Sequence, residues 1–494
     1  AGAALPFGSK PDHFARSGGR TRRAAMGCCC AQGQRDAGAG AEMLCIMPTC
    51  SPLLPLSYAI PVWAVPPAGP RTTLKGRQLI LNMDINKTVI MTDSVSGKTP
   101  EIVVNEEIAA CAWGYEVDGA WQLAYDEPAC LKPQRAGEAR RLESFAEYVM
   151  RRHPGGTNKA QRARIKASFT QPGQPGAKLA PVAEQMLASL KRPDGGEVQL
   201  IPAFFHLLLY LKKERRSFTL CFRTFGQDLS DVARELTDFC EGRHPMNPGV
   251  RMDGSDGDPD YRLRMEPDRC GTFHREEGKL NLIMGTVLQP PEDELPQVDF
   301  EGLEFFRRIP DTRIFSGFSQ VRDYLSTRCS QCGTLGLRDF FPYWKAKGMT
   351  SEGGKVFMFD KSKGCAEHAL FFDDNLKYED FYIAQPINVA EPHRRHLALS
   401  LLQSHMCKAE PLEAIRDPQY FVKHVLRLEE GFNKSCAARE RLRRLLVAAA
   451  ITGKWRCAAQ KISSYDPWRT LRKSACTSQH KGLAEIEEEE LRAF

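Results

Sequence analysis

The chain has 494 residues, which at roughly 150 residues per domain corresponds to about three structural units and is ample for a buried core without metals or disulfides. It carries 68 Lys and Arg against 61 Asp and Glu, and the resulting net charge of +7 is small for this length and is not gathered into one stripe. These values exclude a mini-protein and a wholly disordered chain, and they argue against a nucleic-acid partner.

Cysteine usage points to a reducing environment. The 17 cysteines are odd in number, and Cys28, Cys29 and Cys30 are adjacent, which is unlike the paired framework of an extracellular domain. We therefore expect a cytoplasmic or organellar location. The most apolar stretch, residues 44–65, contains four prolines that would break a spanning helix, so we predict no membrane span.

Residues 1–75 differ in composition from the remainder of the chain. They contain eight basic and three acidic residues among many Gly, Ala and Pro, with no helical or strand periodicity. We predict a disordered or targeting leader. Acylation near Gly27 and Cys28 is a second interpretation, although Ala31 stands where a myristoylation signal has Ser or Thr.

Three apolar runs, residues 79–83, 218–222 and 369–372, are typical of buried parallel strands. An amphipathic helical pattern over 229–240 follows the second run, which completes half of a βαβ unit. We therefore predict an α/β fold with a Rossmann-like parallel sheet. Polar residues follow the three runs at the carboxyl ends, where ligands collect in such sheets, and these residues are Asp84, then Arg223 and Thr224, then Asp373 and Asp374.

Long segments separate these strands. We predict a discontinuous core over 76–385, with cap insertions at 92–200 and 243–310. Residues 386–494 show helical spacing of Leu and no catalytic pattern, which predicts a helical C-terminal extension.

The strand ends offer the groups that phosphoryl transfer requires, namely a nucleophile, a metal site, a donor to the phosphoryl oxygens and a cation. Asp84 is the candidate nucleophile, and Asp373 and Asp374 would hold Mg²⁺ together with it. Thr224 would donate its hydroxyl group to the phosphoryl oxygens. Lys355 would neutralise charge, with Lys345 and Lys347 as competing candidates for that role.

These residues resemble the motifs of the haloacid dehalogenase-like (HAD) superfamily. The segment Asp84-Ile85-Asn86-Lys87-Thr88 is similar to that family's Asp-x-Asp-x-Thr motif, and Thr224, Lys355 and the Asp373-Asp374 pair follow in the family's order. The resemblance implies a HAD-like core and a Mg²⁺-dependent phosphatase or phosphotransferase that forms an aspartyl-phosphate on Asp84.

The same resemblance implies that the backbone carbonyl of Asn86 is a further Mg²⁺ ligand. We also predict that Asn86, Thr88 and Arg223 bind a phosphorylated substrate, whose identity the sequence does not reveal.

One residue departs from the family pattern. Position 86 is Asn where phosphatases of this family carry the Asp that acts as general acid and base, and loss of such a group costs roughly 10² to 10⁴ in rate. The sequence is therefore compatible with two hypotheses. The chain is an enzyme of this family, or it is a catalytically weak or inactive phosphate-binding module.

A separate cysteine pattern admits a zinc site. Cys329 and Cys332 have zinc or redox spacing, and Cys365 with His368 would complete four ligands. Buried or surface thiols are the default interpretation.

Overall fold

The structure is a computed structural model that describes residues 75–93, 96–133, 141–192, 200–276, 278–290, 302–362, 364–377, 381–392 and 398–452. The predicted leader, with its acylation motif and its apolar stretch, lies outside the described residues, as does the C-terminal extension from residue 453 onward.

The strands are β1 (Lys75–Asp84), β2 (Trp113–Val117), β3 (Ala120–Leu123), β4 (Glu143–Ser144), β5 (Arg216–Thr224), β6 (Cys270–Glu276), β7 (Lys279–Met284), β8 (Arg313–Ser316), β9 (Thr334–Arg338), β10 (Lys355–Phe359), β11 (Glu367–Asp373), β12 (Ala384–Asn388) and β13 (Met406–Lys408). The helices are α1 (Pro100–Cys111), α2 (Phe145–Arg152), α3 (Lys159–Ala167), α4 (Ala180–Ser189), α5 (Pro202–Lys213), α6 (Leu229–Cys240), α7 (Gly302–Arg307), α8 (Phe318–Gln331), α9 (Phe341–Ala346), α10 (Ala398–Leu402), α11 (Pro411–Arg416) and α12 (Tyr420–Thr452).

An eight-stranded sheet in the order β13-β11-β1-β5-β9-β6-β7-β8 forms the centre of the fold. The strands from β13 to β6 run parallel, and β7 and β8 are antiparallel to their neighbours. The predicted mixed α/β architecture with a mostly parallel sheet is confirmed. Strand β1 lies between β11 and β5, so the three strands predicted from the apolar runs are neighbours.

Both faces of the sheet are covered, which explains the continuous apolar runs. On one face Leu81 and Phe222 belong to a core cluster that includes residues of α1, α5, α6 and α12. On the other face Ile80 and Phe371 pack with residues of α8, α9, β10 and β12. Strands β10 and β12 form a separate two-stranded parallel sheet.

The segment 92–200 contains α1 to α4 and a small antiparallel sheet in the order β3-β2-β4. Its helix α1 contributes Val103, Val104 and Ile108 to the same core cluster as the central strands. These apolar side chains are removed from water by packing against the core, so this part of the insertion is joined to the sheet through a shared interior.

The segment 243–310, for which the sequence predicts a cap, instead supplies β6 and β7 to the central sheet. Strand β6 pairs in parallel with β9, and β7 pairs with both β6 and β8. Strands β6 and β7 join the sheet because this placement buries their apolar side chains. Phe273, Leu282 and Met284 form an apolar cluster with Val321 of α8.

The described part of the C-terminal extension is mostly helical, as predicted, but it also contains a strand that the prediction did not include. Strand β13 joins the edge of the central sheet, where Met406 pairs with Phe371 of β11. The 33-residue helix α12 buries Phe421, Val425 and Leu428 in the main core. None of the described helices combines the length and the apolar character of a membrane span.

Gly431 lies in the interior of α12, where glycine is normally unfavourable. A Cβ atom at this position would lie 1.9 Å from the carbonyl oxygen of Gln403. The helix therefore passes the turn at Gln403 in direct backbone contact, which only a residue without a side chain permits.

We expect Gly431→Ala to lower the free energy of unfolding by about 1–3 kcal/mol, because the clash outweighs the better helix propensity of alanine. Urea denaturation measures this change. Lys434→Ala, on an exposed part of the same helix, is the control and should change stability by at most about 0.5 kcal/mol. A Gly431→Ala variant more stable than the wild type would contradict the close contact.

Candidate active site

The polar residues after three neighbouring strands meet at the carboxyl edge of the sheet. Asp84 ends β1, Asp373 ends β11 and Thr224 ends β5. The pairing places Met83 opposite Phe372 and Asp84 opposite Arg223, so the three strands end at nearly the same level. The fold thus brings residues far apart in the chain to one edge.

Three carboxylates form a cluster at this edge. Asp84, Asp373 and Asp374 each offer a carboxylate oxygen, and these oxygens lie within 4.8 Å of one another. Asp84 is 5% exposed and Asp373 is fully buried. The backbone N–H of Asn375 donates to Asp373 Oδ1 at 2.9 Å, and that of Asp374 donates to Thr88 Oγ1 at 3.2 Å. Thr88 therefore lies at the site, where its hydroxyl supports the loop that carries Asp374.

Lys355 supplies the cation. Its ammonium group contacts Asp84 Oδ1 and lies 2.8 Å from Asp373 Oδ2. Lys345 and Lys347 are the other candidates for this cation. Lys345 is exposed, and Lys347 forms an ion pair with Glu352 at 3.4 Å, so the contacts favour Lys355. Lys355 begins β10, so the charge reaches the carboxylates from the small sheet that packs on the central one.

The structure corrects the role predicted for Arg223. Its Nε donates to Asp339 Oδ2 at 3.0 Å, and both side chains of this ion pair are 3% exposed. Its Nη1 donates to the carbonyl oxygen of Val356 at 2.9 Å, and the guanidinium lies over the Phe273 ring. These contacts and that of Nη2 with Asp339 engage all three guanidinium nitrogens, so the group is committed to internal partners. Arg223 instead anchors the residue that follows Lys355.

Asn86 is held by hydrogen bonds that an aspartate could not make. Its Nδ2 donates to the carbonyl oxygen of Thr92 at 3.1 Å and to Asp228 Oδ2 at 3.2 Å. The Thr224 hydroxyl donates to Asn86 Oδ1 at 3.5 Å and accepts from the Gly226 N–H at 2.8 Å. An amide at position 86 is therefore explained by its donation to a neighbouring carboxylate.

The layer around the cluster has an excess of negative charge. The carboxylates are Asp84, Asp339, Asp373 and Asp374, and the cations that contact them are Arg223 and Lys355. Lys87 also acts on Asp374, but its charge is paired with Glu107. The uncompensated charge is thus two negative units when all six groups are ionised, which matches one divalent cation.

This charge distribution perturbs the titration of the acids. Burial, reinforced by Asp373 and opposed by Lys355, raises the pKa of Asp84 to about 7. Asp374 keeps some surface exposure, but desolvation and the charge of Asp373 raise its pKa well above the usual range. Burial lowers the pKa of Lys355, but Asp373 and Asp84 together raise it above its ordinary value.

The donor set fits a hard divalent cation, the class to which Mg²⁺ belongs. Hard divalent cations prefer carboxylate oxygens, and the three oxygens of Asp84, Asp373 and Asp374 are close enough to share one ion. The contribution of the Asn86 backbone carbonyl stays a prediction.

Sequence reasoning missed three polar residues at this edge. Arg338 ends β9 and Asp339 follows it, but the segment 334–337 is Thr-Leu-Gly-Leu, a weaker strand pattern than the three apolar runs. Asp228 lies four residues beyond Thr224 and immediately before α6, where an acidic residue is ordinarily a helix cap. Only its contact with Asn86, which the sequence does not reveal, distinguishes Asp228 from an ordinary helix cap.

The zinc hypothesis is not supported by the geometry. The Cys365 thiol donates to the Glu367 carbonyl oxygen, and His368 Nε2 lies 2.7 Å from the Ser404 carbonyl oxygen. Among the described residues, the Asp84 cluster is the one convergent group of three or more metal-ligating side chains. The ten cysteines within those residues are free thiols.

A cavity of about 390 Å³ lies on the sheet face that carries Asp84, and exposed residues such as Asp323 and Ser326 belong to its lining. Asn82 and Arg223 bound its upper end, and Glu367, the first residue of β11, lies near its lower end. The three clustered aspartates do not line it. The cavity is therefore separate from the carboxylate site, which lies at the carboxyl edge above it.

Comparison of the chain with family models, with curated proteins and with solved structures finds no match.

We expect protons and Mg²⁺ to compete for the carboxylate cluster. Because the pKa of Asp84 is raised from 3.8 to about 7, the metal-free folded protein binds more protons than the unfolded chain within that range. Its stability should therefore fall as pH rises through about 7, and the stabilisation by Mg²⁺ should grow over the same interval. Melting temperatures from about pH 4 to pH 8, with and without Mg²⁺, test this expectation.

Asp84→Asn is the matched variant for this experiment, because it removes one of the titrating carboxylates and keeps its size. It should flatten the pH dependence and weaken the response to Mg²⁺. Identical pH profiles for the wild type and the variant, with no Mg²⁺ response in either, would contradict the assignment.

Proposed function

We propose that the protein is a Mg²⁺-dependent phosphatase or phosphotransferase that works through an aspartyl-phosphate on Asp84, as the resemblance to HAD proteins implies. The observation that carries this proposal is the contact of the Lys355 ammonium group with Asp84 and Asp373. Lys355 and Asp84 are 271 positions apart in the chain. Two carboxylates and a cation that are distant in sequence are thus in direct contact, which supports the proposal.

Each residue has a defined role in the proposed reaction. A carboxylate oxygen of Asp84 attacks phosphorus, and the bond between phosphorus and the leaving oxygen breaks. Lys355 opposes the negative charge that accumulates around the transferred group. Bound Mg²⁺, held by Asp84, Asp373 and Asp374, would neutralise phosphoryl oxygens. Thr224 is the proposed hydroxyl donor to those oxygens.

The slow part of this reaction is proton transfer. The leaving oxygen needs a proton, and the water that hydrolyses the aspartyl-phosphate must lose one. The amide of Asn86 does neither at neutral pH, and both of its N–H groups are already engaged with Thr92 and Asp228. We therefore expect slow turnover of esters with poor leaving groups.

Asn86 also favours the second candidate function, a catalytically weak or inactive phosphate-binding module. Such a module keeps the metal site and the donors without the proton-transfer group. The intact Asp84 favours the enzyme, since binding alone does not require a nucleophile.

We expect Asp84→Asn to abolish Mg²⁺-dependent phosphate release, because an amide does not attack phosphorus. The measurement is inorganic phosphate released from a panel of phosphate esters, with and without Mg²⁺. Asp231→Asn, on an exposed part of α6, is the surface control and should retain activity. Full activity in a folded Asp84→Asn variant would refute the nucleophile assignment.

We expect Asn86→Asp to raise the hydrolysis of esters with poor leaving groups by roughly tenfold or more, because it restores a proton donor near the leaving oxygen. Esters with good leaving groups should gain much less. Matched alkyl and nitrophenyl phosphates measure the difference. Equal gains on both, or losses on both, would show that the missing acid does not limit turnover.

A further inference from the structure

Arg338 lies beside the proposed phosphoryl site. It ends β9, and its Cα is paired in register with that of Thr224 on β5. Its Nε donates to the carbonyl oxygen of Phe225 at 3.5 Å, and its Nη1 donates to that of Val287 at 3.2 Å. Phe225 directly follows β5, so the Nε end of the guanidinium lies near the carboxyl end of that strand.

The charge of Arg338 is poorly compensated. The acid that acts on it most is Asp228, whose carboxylate instead accepts a hydrogen bond from Asn86 at 3.2 Å. Burial lowers the pKa of Arg338, and the charge of Asp228 only partly offsets this effect. Arg223, at the same edge, differs because it is paired with Asp339.

Arg338 also has unused hydrogen-bonding capacity. A guanidinium has five N–H donors, and the described contacts of Arg338 use two of them, one at a long distance. Arg338 is also partly exposed, so it is not sealed from solvent. A planar group with several free donors favours bidentate binding of an oxyanion.

We propose that Arg338 binds a second oxyanion, a carboxylate or a phosphate, on the substrate whose phosphoryl group lies at Asp84. This inference rests on the proposed function and narrows its substrate class. Strand β9 is two strands from β1, a backbone separation of roughly 10 Å. The second anion therefore lies several bonds from phosphorus, which indicates small phosphomonoesters with a remote acidic group.

Hydrolysis-resistant phosphonates test this proposal without relying on turnover. Benzylphosphonate and 4-carboxybenzylphosphonate differ only in the remote carboxylate, and their affinities with Mg²⁺ are measured by calorimetry. The variants are Arg338→Met, which removes the charge, and Arg338→Lys, which keeps the charge and loses the planar fork. Arg234→Met, an exposed arginine on α6, is the control.

We expect the wild type to bind the carboxylated compound more tightly than benzylphosphonate. Arg338→Met should weaken binding of the carboxylated compound by roughly ten- to a hundred-fold and leave benzylphosphonate unchanged. Arg338→Lys should retain part of the preference, and melting temperatures verify that both variants are folded.

Two different failures can be told apart. Equal affinity of the wild type for the two compounds, or an equal loss on both in Arg338→Met, overturns the role of Arg338 and leaves the proposed function intact. Failure of both compounds to bind the wild type in the presence of Mg²⁺ overturns the proposed function and the inference together.

Discussion

One ammonium group holds the candidate site together. Lys355 bridges Asp84 and Asp373, two buried carboxylates on adjacent strands that would otherwise repel each other. The lysine does not belong to the central sheet, so its position depends on how β10 is held. Arg223 provides this support by donating to the carbonyl oxygen of Val356 while pairing with Asp339. Two buried ion pairs are thus connected through the first two residues of one strand.

Such a network is sensitive to any single loss. Removing one member of a buried pair leaves its partner charged and desolvated, at a cost of roughly 3–5 kcal/mol. Asn86 fits this constraint, because a carboxylate there would lie against Asp228 and add charge to a region that already has an excess. The neutral amide therefore satisfies Asp228 at the expense of proton-transfer capacity.

Much of this arrangement was predictable from local sequence. The apolar runs that end in Asp84, Thr224 and Asp373 predicted parallel strands with polar residues at one edge, and their adjacency follows from the sheet order. The roles of Arg223 and of residues 243–310 were not predictable in the same way. Whether an arginine faces a substrate or pairs with Asp339, and which strand accepts β6, depends on contacts distant in sequence. The proposed chemistry remains a prediction that the geometry supports.

The distance along the chain between the charged partners has a consequence for synthesis. During translation a chain that has emerged only as far as β9 already contains Asp84, Thr224 and Arg338, but neither Lys355 nor Asp373. Because domains fold as units while the chain is made, such a nascent chain lacks Lys355 and two of the three clustered carboxylates, and it cannot complete the site. The three aspartates therefore come together only after β11 has been added to the sheet beside β1.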